Sequence, residues 1–197
     1  MRTLIVVAHP LTHSLCARLA VTVEATLKKS GHEVEVLDLY KTQFPPALRG
    51  QERLSYYDSS VDPGNSLDAM HEQLRRAEVL VLVFLTWWFS MPAILKGWFD
   101  RVWWPGVAFD HGTPIQPLLT SLRACLAVTT LGSPWWVDWL IMQRPVGRVI
   151  RRGILLACAP NARFRLLSLH AAENVAEARL STFEARISRA LSSLVDR

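Results

Sequence analysis

Residues 79–90 read VLVLVFLTWWFS, an uninterrupted apolar run that passes through one threonine into three aromatic residues. A continuous apolar run of this length is typical of a parallel strand that is covered on both faces. In the segment that follows, residues 91–102, Ile94, Trp98 and Val102 recur every four positions, which predicts a helix with one buried stripe. The pattern therefore predicts a strand whose carboxyl end opens through an aromatic turn into a helix.

The start of this predicted helix carries a proline. Pro92 suits the first helical turn because its missing N–H costs nothing there, and Ser90 lies close enough in sequence to help cap the helix. We expect three charged side chains to point away from the buried stripe: Lys96, Asp100 and Arg101. Aromatic rings and free helix N–H groups would then meet at one strand end.

Tryptophan is concentrated in one part of the chain. All eight tryptophans lie between Trp87 and Trp139. Core burial is the usual role of a single tryptophan, but such clustering favours a stacking site or an interface.

Strand and helix patterns alternate along the chain, which is typical of a mostly parallel sheet covered by helices. The predicted strands are residues 3–8, 33–38, 79–85, 124–129 and 164–169. The second and fifth carry polar residues at nearly alternating positions and are therefore expected at the edges. This favours an α/β fold with a flavodoxin-like, doubly wound, five-stranded parallel sheet in the order 2-1-3-4-5.

The rest of the chain fits one domain spanning residues 1–197. The first helix is predicted from Ser14 to about Ser30 and the last from about Glu173, each with an apolar stripe at helical spacing. The long irregular stretch at about 41–66 is interpreted as a lid, an interface arm or a mobile segment.

Composition excludes several classes of protein. Half of the residues are hydrophobic and a fifth are charged, as in a folded domain. No apolar run approaches the roughly 20 residues that cross a bilayer, and the apolar start at residues 3–8 is too short for a signal peptide, so a cytoplasmic location is predicted. Three widely spaced cysteines argue against a disulfide framework or a zinc site.

The formal net charge of +5 favours anionic partners. Most of the charge is spread, and one dense group stands out: Arg144, Arg148, Arg151 and Arg152. A solvated helix face is the first interpretation of this group, and contact with a nucleotide phosphate or a partner subunit is the second. No nucleic-acid motif accompanies it, so no nucleic-acid partner is predicted.

Three segments follow strands that should end at the same sheet edge: residues 8–16, 86–90 and 129–133. The first leads into a helix whose N–H groups, with Ser14 and His9, can hold a phosphate. It contains no glycine and so matches neither a Walker loop nor the dinucleotide fingerprint. No nucleophile elbow, carboxylate pair or metal-ligand spacing occurs, so a bound cofactor is expected to supply the chemistry.

The segment 88–102 closely resembles a signature block of the flavodoxin-fold NAD(P)H:quinone oxidoreductases, the NAD(P)H dehydrogenase (quinone) family. Further resemblance lies in residues 4–9 with Ser14, in residues 38–40, and in Thr129 and Thr130 with Gly132. Together these matches extend through about residue 133.

The resemblance implies a flavin, FAD or FMN, with NAD(P)H as co-substrate. Four residues would lie at its phosphate end: His9, Ser14, Leu15 and Cys16. Eight would surround the isoalloxazine ring: Thr86, Trp87, Trp88, Phe89, Thr129, Thr130, Leu131 and Gly132. In this ping-pong reaction NAD(P)H passes a hydride to the flavin and leaves, and a quinone or similar electrophile then receives two electrons.

Family members usually form homodimers with the active site at the interface, which would account for Trp98, Trp103 and Trp104. The chain departs from the family in three places. Leu85-Thr86 replaces a frequent Pro-Leu, and Cys16 replaces a frequent asparagine. No histidine occurs between His111 and His170, so no catalytic residue is assigned.

Two other functions stay open. Some relatives are regulatory subunits of a potassium-efflux antiporter, and the arginine group or the apolar segment 135–141 would suit a peripheral contact with such a transporter. A flavodoxin-like electron carrier is the other, although those carriers are typically acidic.

Overall fold

The computed structural model describes residues 1–58 and 67–195. Its strands are β1 (Arg2–Ala8), β2 (Glu33–Asp38), β3 (Val79–Leu85), β4 (Phe109–Asp110), β5 (Gln116–Pro117), β6 (Ala124–Thr130) and β7 (Arg163–Leu169). Its α-helices are α1 (Leu15–Lys29), α2 (Gly50–Ser55), α3 (Asp68–Arg76), α4 (Ala93–Val102), α5 (Pro145–Arg148), α6 (Leu156–Cys158) and α7 (Glu177–Val195). Two π-helical segments, Val137–Ile141 and Val149–Leu155, complete the region between β6 and β7.

The main sheet has five parallel strands in the order β2-β1-β3-β6-β7, and β4 pairs with β5 in a separate antiparallel ribbon. Counted within the main sheet this is the predicted order 2-1-3-4-5, which is confirmed. Strands β3 and β6 are buried almost throughout, whereas β2 and β7 alternate between covered and exposed residues. The polar positions of β2 and β7 are tolerated because each has an uncovered edge.

Two apolar layers lie on opposite faces of the sheet. On one face, α1 and α7 pack against the strands through residues such as Leu19 and Ile187, both fully buried. On the other face, α3, α4 and the helical segment 145–158 supply residues such as Leu95 and Ile150. Helices on both faces leave the strand ends as the open part of the sheet.

The first helix agrees with its sequence prediction. Ser14 is the N-cap of α1, and its Oγ accepts the Ala17 N–H at 3.2 Å. Gly31 follows the helix with φ of 77°, a left-handed conformation that favours glycine. The last helix begins at Glu177 rather than near Glu173. Ahead of it, Ala171 and Ala172 donate backbone hydrogen bonds to the 131–133 loop, and residues 173–176 form a turn and a short connection.

Helix α4 corrects three details of the sequence prediction. Pro92 is its N-cap rather than its first-turn residue, and Ser90 makes no capping bond. Arg101 does not point to solvent: it is 1% exposed and forms a buried ion pair with Glu52 of α2. Periodicity missed this pair because Glu52 lies in another element.

Part of the irregular 41–66 stretch is firmly held. It contains α2, and its Pro46 backbone packs so closely on α4 that a Cβ on Gly97 would lie 2.2 Å from the Pro46 carbonyl oxygen. Arg101 also donates to the Pro45 carbonyl. Residues 45–55 are therefore anchored and are not a mobile segment, whereas residues 59–66 lie outside the described residues.

The tryptophan cluster divides between core and surface. Trp98 and Trp103 are 0% and 4% exposed in the α4 layer. The core of the chain thus accounts for them, and the expectation that an interface explains them is wrong. No helix within the described ranges combines the length and apolar composition needed to span a bilayer.

Candidate functional site

The three predicted loops meet at the carboxyl ends of β1, β3 and β6. The Thr86 N–H donates to the Thr130 carbonyl at 2.9 Å, and the Thr86 and Thr129 hydroxyls lie 2.7 Å apart. Cys16 Sγ lies 3.5 Å from Thr130 Oγ1. These contacts tie the start of α1 to the ends of β3 and β6, which places the loops around one edge of the sheet.

The turn after β3 is strained and holds its aromatic rings outward. The Trp87 and Ser90 backbones exchange two hydrogen bonds of 2.9 Å, while the residues between them, Trp88 and Phe89, have φ of 48° and 57°. Such a two-residue turn with two positive φ angles normally uses asparagine and glycine. Side chains larger than glycine cost roughly 1–2 kcal/mol each in this conformation, and strain of this kind clusters at functional sites.

This turn presents both a ring surface and backbone donors. Trp88 is 88% exposed, which is unusual for the largest apolar side chain. Neither the Trp88 N–H nor the Phe89 N–H donates a hydrogen bond within the described part of the chain. The turn therefore offers a flat indole and two free N–H groups beside the Thr129–Gly132 loop.

The start of α1 presents a second set of donors. The Leu15 and Cys16 N–H groups have no acceptor in the part of the chain that the structure describes, and the first turn contains no acidic residue. His9 Nδ1 lies 3.1 Å from the Leu11 nitrogen and 3.2 Å from the Leu11 carbonyl oxygen, so the loop holds this side of the ring, while Nε2 has no partner among the described residues. The Ser14 hydroxyl retains its own proton to donate. This arrangement suits a phosphate.

Several predicted site residues turn their side chains inward. Cys16 is buried against Thr130, and burial raises the pKa of its thiol to about 11. Thr86 and Thr129 are also buried, with their hydroxyls bonded to each other. Leu131 is buried and its N–H donates to the Leu169 carbonyl. These residues shape the site and offer it backbone rather than side chains.

Gly132 is needed because there is little room for a side chain at this position, and not because of its backbone conformation, since its φ is not positive. A Cβ at this position would lie 2.9 Å from Glu173 Oε1. Glu173 was not expected here, because the sequence prediction placed it within the last helix. The loop that replaces that helical turn brings its carboxylate over the glycine.

Two further residues near the site escaped sequence reasoning. His170 Nε2 lies 3.0 Å from Asp138 Oδ2, and Asp138 is 3% exposed. His170 directly follows β7, whose Leu169 carbonyl accepts the Leu131 N–H. The pair joins a π-helical segment to a strand end, and no spacing rule in the sequence predicts such a contact. Among the described residues, no cluster of histidine, cysteine and carboxylate side chains suits a metal ion.

The chain belongs to the family described as having a flavodoxin-like fold, whose model matches residues 1–155. It is 40% identical over 157 residues to the ribosyldihydronicotinamide dehydrogenase-like protein traD of Penicillium crustosum, covering 67% of this chain and 58% of that protein. It is 33% identical over 156 residues to the NAD(P)H dehydrogenase [quinone] 1 of Cavia porcellus, covering 67% and 54%.

Among solved structures, the NAD(P)H:quinone oxidoreductase of Methanothermobacter marburgensis superposes with a TM-score of 0.82 at 25% identity. The match covers 96% of this chain and 94% of that one. These similarities confirm the resemblance that the sequence carries to the NAD(P)H dehydrogenase (quinone) family. The chain spans little more than half the length of the curated relatives it matches.

Proposed function

We propose that this protein is a flavin-dependent NAD(P)H oxidoreductase that passes two electrons to a quinone or a similar electrophile. The observation that carries the proposal is the strained Trp87–Ser90 turn with its exposed indole and free N–H groups, held beside the open amides of α1. Relatives named as NAD(P)H and quinone oxidoreductases support it. A cytoplasmic location stays a prediction.

The residues present fit a flavin. The Leu15 and Cys16 N–H groups, with the Ser14 hydroxyl and His9, would hold its phosphate against the positive end of α1. The Trp88 and Phe89 N–H groups and the backbone at Thr129–Gly132 would bind the polar edge of the isoalloxazine ring. Bound there, the flavin would supply hydride exchange between NAD(P)H and the acceptor.

The protein itself would hold the flavin and its substrates in position. The buried threonine contacts fix the distance between the β3 and β6 loops, and the indole of Trp88 would cover the ring and exclude water. No side chain of the described loops is assigned as an acid or base.

The test is an absorption spectrum of the purified protein, followed by anaerobic addition of NADPH and then a quinone, with the released flavin identified by chromatography. Bound flavin that bleaches with NADPH and recovers with quinone is the expected result. A protein that stays colourless and cannot be reconstituted with FMN or FAD would overturn the proposal.

A matched pair of glycine substitutions tests the proposed position of the flavin. Gly132→Leu should abolish flavin retention with little loss of stability, because the Glu173 carboxylate that it displaces is the far end of a flexible side chain. Gly50→Leu is the control, because an added Cβ there meets nothing within 4 Å. Full flavin occupancy in Gly132→Leu would exclude this placement.

A partner contact is a second proposal, supported by an exposed apolar face. Trp136, Leu140 and Ile141 are 46–69% exposed along one side of the segment 135–141. We propose that a second copy of the chain covers this face, as in a homodimer. Sedimentation of the wild type and of Leu140→Glu tests it: a dimer that becomes a monomer supports the interface, whereas a wild-type monomer would favour another partner, such as a transporter.

A further inference from the structure

A large groove runs along the outer edge of the sheet. It lies between the segment 135–152, strand β7 and helix α7, and its volume is about 1140 Å³. Four arginines line it from the segment: Arg144, Arg148, Arg151 and Arg152. Three more come from β7 and α7: Arg165, Arg186 and Arg189. Among the described residues, no carboxylate and no lysine lines this groove. About a third of the 22 basic side chains of the whole sequence thus face one space.

These arginines have no carboxylate partner in the part of the chain that the structure describes. None of the seven forms a salt bridge within the described residues, whereas Arg18, Arg76 and Arg101 elsewhere each pair with a glutamate. The guanidinium groups of Arg151, Arg152 and Arg186 donate no hydrogen bond to any described residue. Like charges that face one space repel each other. An anionic ligand would remove this repulsion.

The floor of the groove is built around Arg144. The guanidinium of Arg144 lies 4.5 Å from the ring centre of Trp139 and donates to the Leu166 carbonyl at 3.2 Å, while its buried Nε has no partner within the described chain. Gln143 and Arg144 both have left-handed φ angles, of 56° and 52°. A Cβ on Gly147 would lie 2.9 Å from Leu166 Cδ2, so the segment approaches β7 closely there. Strained backbone and close packing hold this guanidinium in place.

The lining indicates the chemistry of the ligand. Guanidinium groups bind phosphate oxygens through paired hydrogen bonds, and several of them together suit more than one phosphate. At the rim, Trp135 and Trp139 are 60% and 50% exposed and offer flat surfaces to a planar ring. The volume is that of a site for a ligand larger than a single phosphate.

An acidic peptide fits less well. Such a peptide would use the open edge of β7 by adding a strand. Arg144 already donates to the Leu166 carbonyl on that strand, which removes one of the acceptors that strand pairing needs. The exposed indoles would also contribute little to an acidic chain.

We propose that this groove binds a nucleotide carrying two or more phosphates, with the phosphates on the arginines and the base on the rim tryptophans. Such a nucleotide has two sources: a free nucleoside diphosphate or triphosphate, or the adenosine diphosphate half of NAD(P)H. The groove adjoins the candidate site through His170, which lines it and directly follows Leu169. The second source rests on the proposed function, and the first does not.

Calorimetry with ADP, AMP and inorganic pyrophosphate on the protein as purified, with any flavin it carries retained, tests the proposal. ADP should bind at least tenfold more tightly than AMP, and Trp139→Ala should weaken ADP more than pyrophosphate. Arg151→Gln/Arg186→Gln should weaken ADP binding at least tenfold. The control Arg2→Gln/Arg123→Gln removes the same charge from exposed arginines outside the groove and should leave ADP binding unchanged.

The proposal is overturned if ADP does not bind, if both double variants weaken ADP equally, or if a glutamate-rich peptide binds in place of ADP. Steady-state kinetics of the flavin-loaded protein then separate the sources. Competition of ADP with NADPH, and a higher KM for NADPH in Arg151→Gln/Arg186→Gln at unchanged kcat, identify the co-substrate. ADP that binds without competing identifies a free nucleotide, and ADP binding by a protein that takes up no flavin upholds the groove while removing the proposed enzyme.

Discussion

Trp88 and Trp98 are two tryptophans that lie on either side of Pro92 in the sequence, but one is exposed and the other is buried. Trp98 is fully buried in the α4 layer, with ring centres 5.1 Å from Phe99 and 6.1 Å from Trp103. Trp88 is 88% exposed on a turn with positive φ angles. Burying a large aromatic side chain stabilises a fold, whereas exposing one on strained backbone does not. The exposed ring is therefore the one that points to a ligand.

Truncating each ring to alanine tests most directly whether Trp98 belongs to the core and Trp88 to the candidate site. Trp98→Ala should lower the free energy of unfolding by about 4 kcal/mol, because it leaves a large cavity in the α4 layer. Trp88→Ala should change it by less than about 0.5 kcal/mol, because no packed neighbour is lost. Urea unfolding followed by circular dichroism measures both, and equal losses would contradict the division into core and site.

The buried Arg101–Glu52 pair extends the comparison to charge. Two nitrogens of Arg101 donate to the Glu52 carboxylate, and Arg101 Nε lies 3.0 Å from each of its oxygens. Glu52→Gln should destabilise the protein by about 2–3 kcal/mol, because a buried guanidinium then loses its counter-charge. Arg151→Gln in the unpaired groove is the matched control and should cost less than about 0.5 kcal/mol. Similar losses in both variants would show that the groove arginines are structural.

The Arg101–Glu52 pair should also make the stability of the protein depend on pH in the acid range. Burial alone would raise the pKa of Glu52, but hydrogen bonds from Arg101 and from the Arg49 N–H hold it below the usual 4.5. A carboxyl whose folded pKa is depressed contributes stability that is present above its unfolded pKa and lost as the pH falls through the folded value. Wild-type stability should therefore fall below about pH 4.5 more steeply than that of Glu52→Gln. Parallel pH profiles of the two proteins would contradict this.

Strain and stacking at Trp88 can be separated with two small residues. Trp88→Gly should be more stable than Trp88→Ala by about 1 kcal/mol, because glycine adopts a positive φ without steric cost. Both variants should bind flavin about tenfold more weakly than the wild type, since each removes the indole. Flavin titration with urea unfolding measures the two effects, and Trp88→Ala at least as stable as Trp88→Gly would argue against a strained turn.

The smallest effect is expected at Cys16. Its thiol, with a pKa of about 11, is protonated at neutral pH and faces Thr130 rather than the open amides of α1. Cys16→Ser should therefore change flavin affinity by less than about twofold, while burial of the hydroxyl costs about 1 kcal/mol of stability. A large loss of flavin affinity at unchanged stability would place the side chain in the phosphate site.

Local patterns predicted most of the fold. Three signals depend only on residues that are neighbours in sequence: the apolar run at 79–85, the capping serine before α1 and the polar positions of β2 and β7. These signals were enough to predict the strand order and the two edge strands. The helix predicted from about Glu173 begins at Glu177, and residues 173–176 form a turn and a short connection that follows the non-local bonds of Ala171 and Ala172 to the 131–133 loop.

The candidate site was predicted by its loops and not by its side-chain directions. Strand ends that share an edge must bring their loops together, which placed 86–90 beside 129–133. The inward side chain of Cys16 and the carboxylate of Glu173 over Gly132 depend on contacts between residues far apart in sequence. The arginine group at 144–152 was visible as charge, but its partners Arg165, Arg186 and Arg189 come from two other elements.

The sequence by itself determined the five strands of the main sheet and their order, the first helix, the helix after β3 and the family to which the chain belongs, because periodicity, capping and a local motif are properties of adjacent residues. Only the tertiary structure decided which tryptophans are core and which are exposed, and that Arg101 pairs with Glu52 while the groove arginines have no ion-pair partner among the described residues. Burial and ion pairing depend on what the rest of the chain brings alongside, and that is set by packing across the sheet.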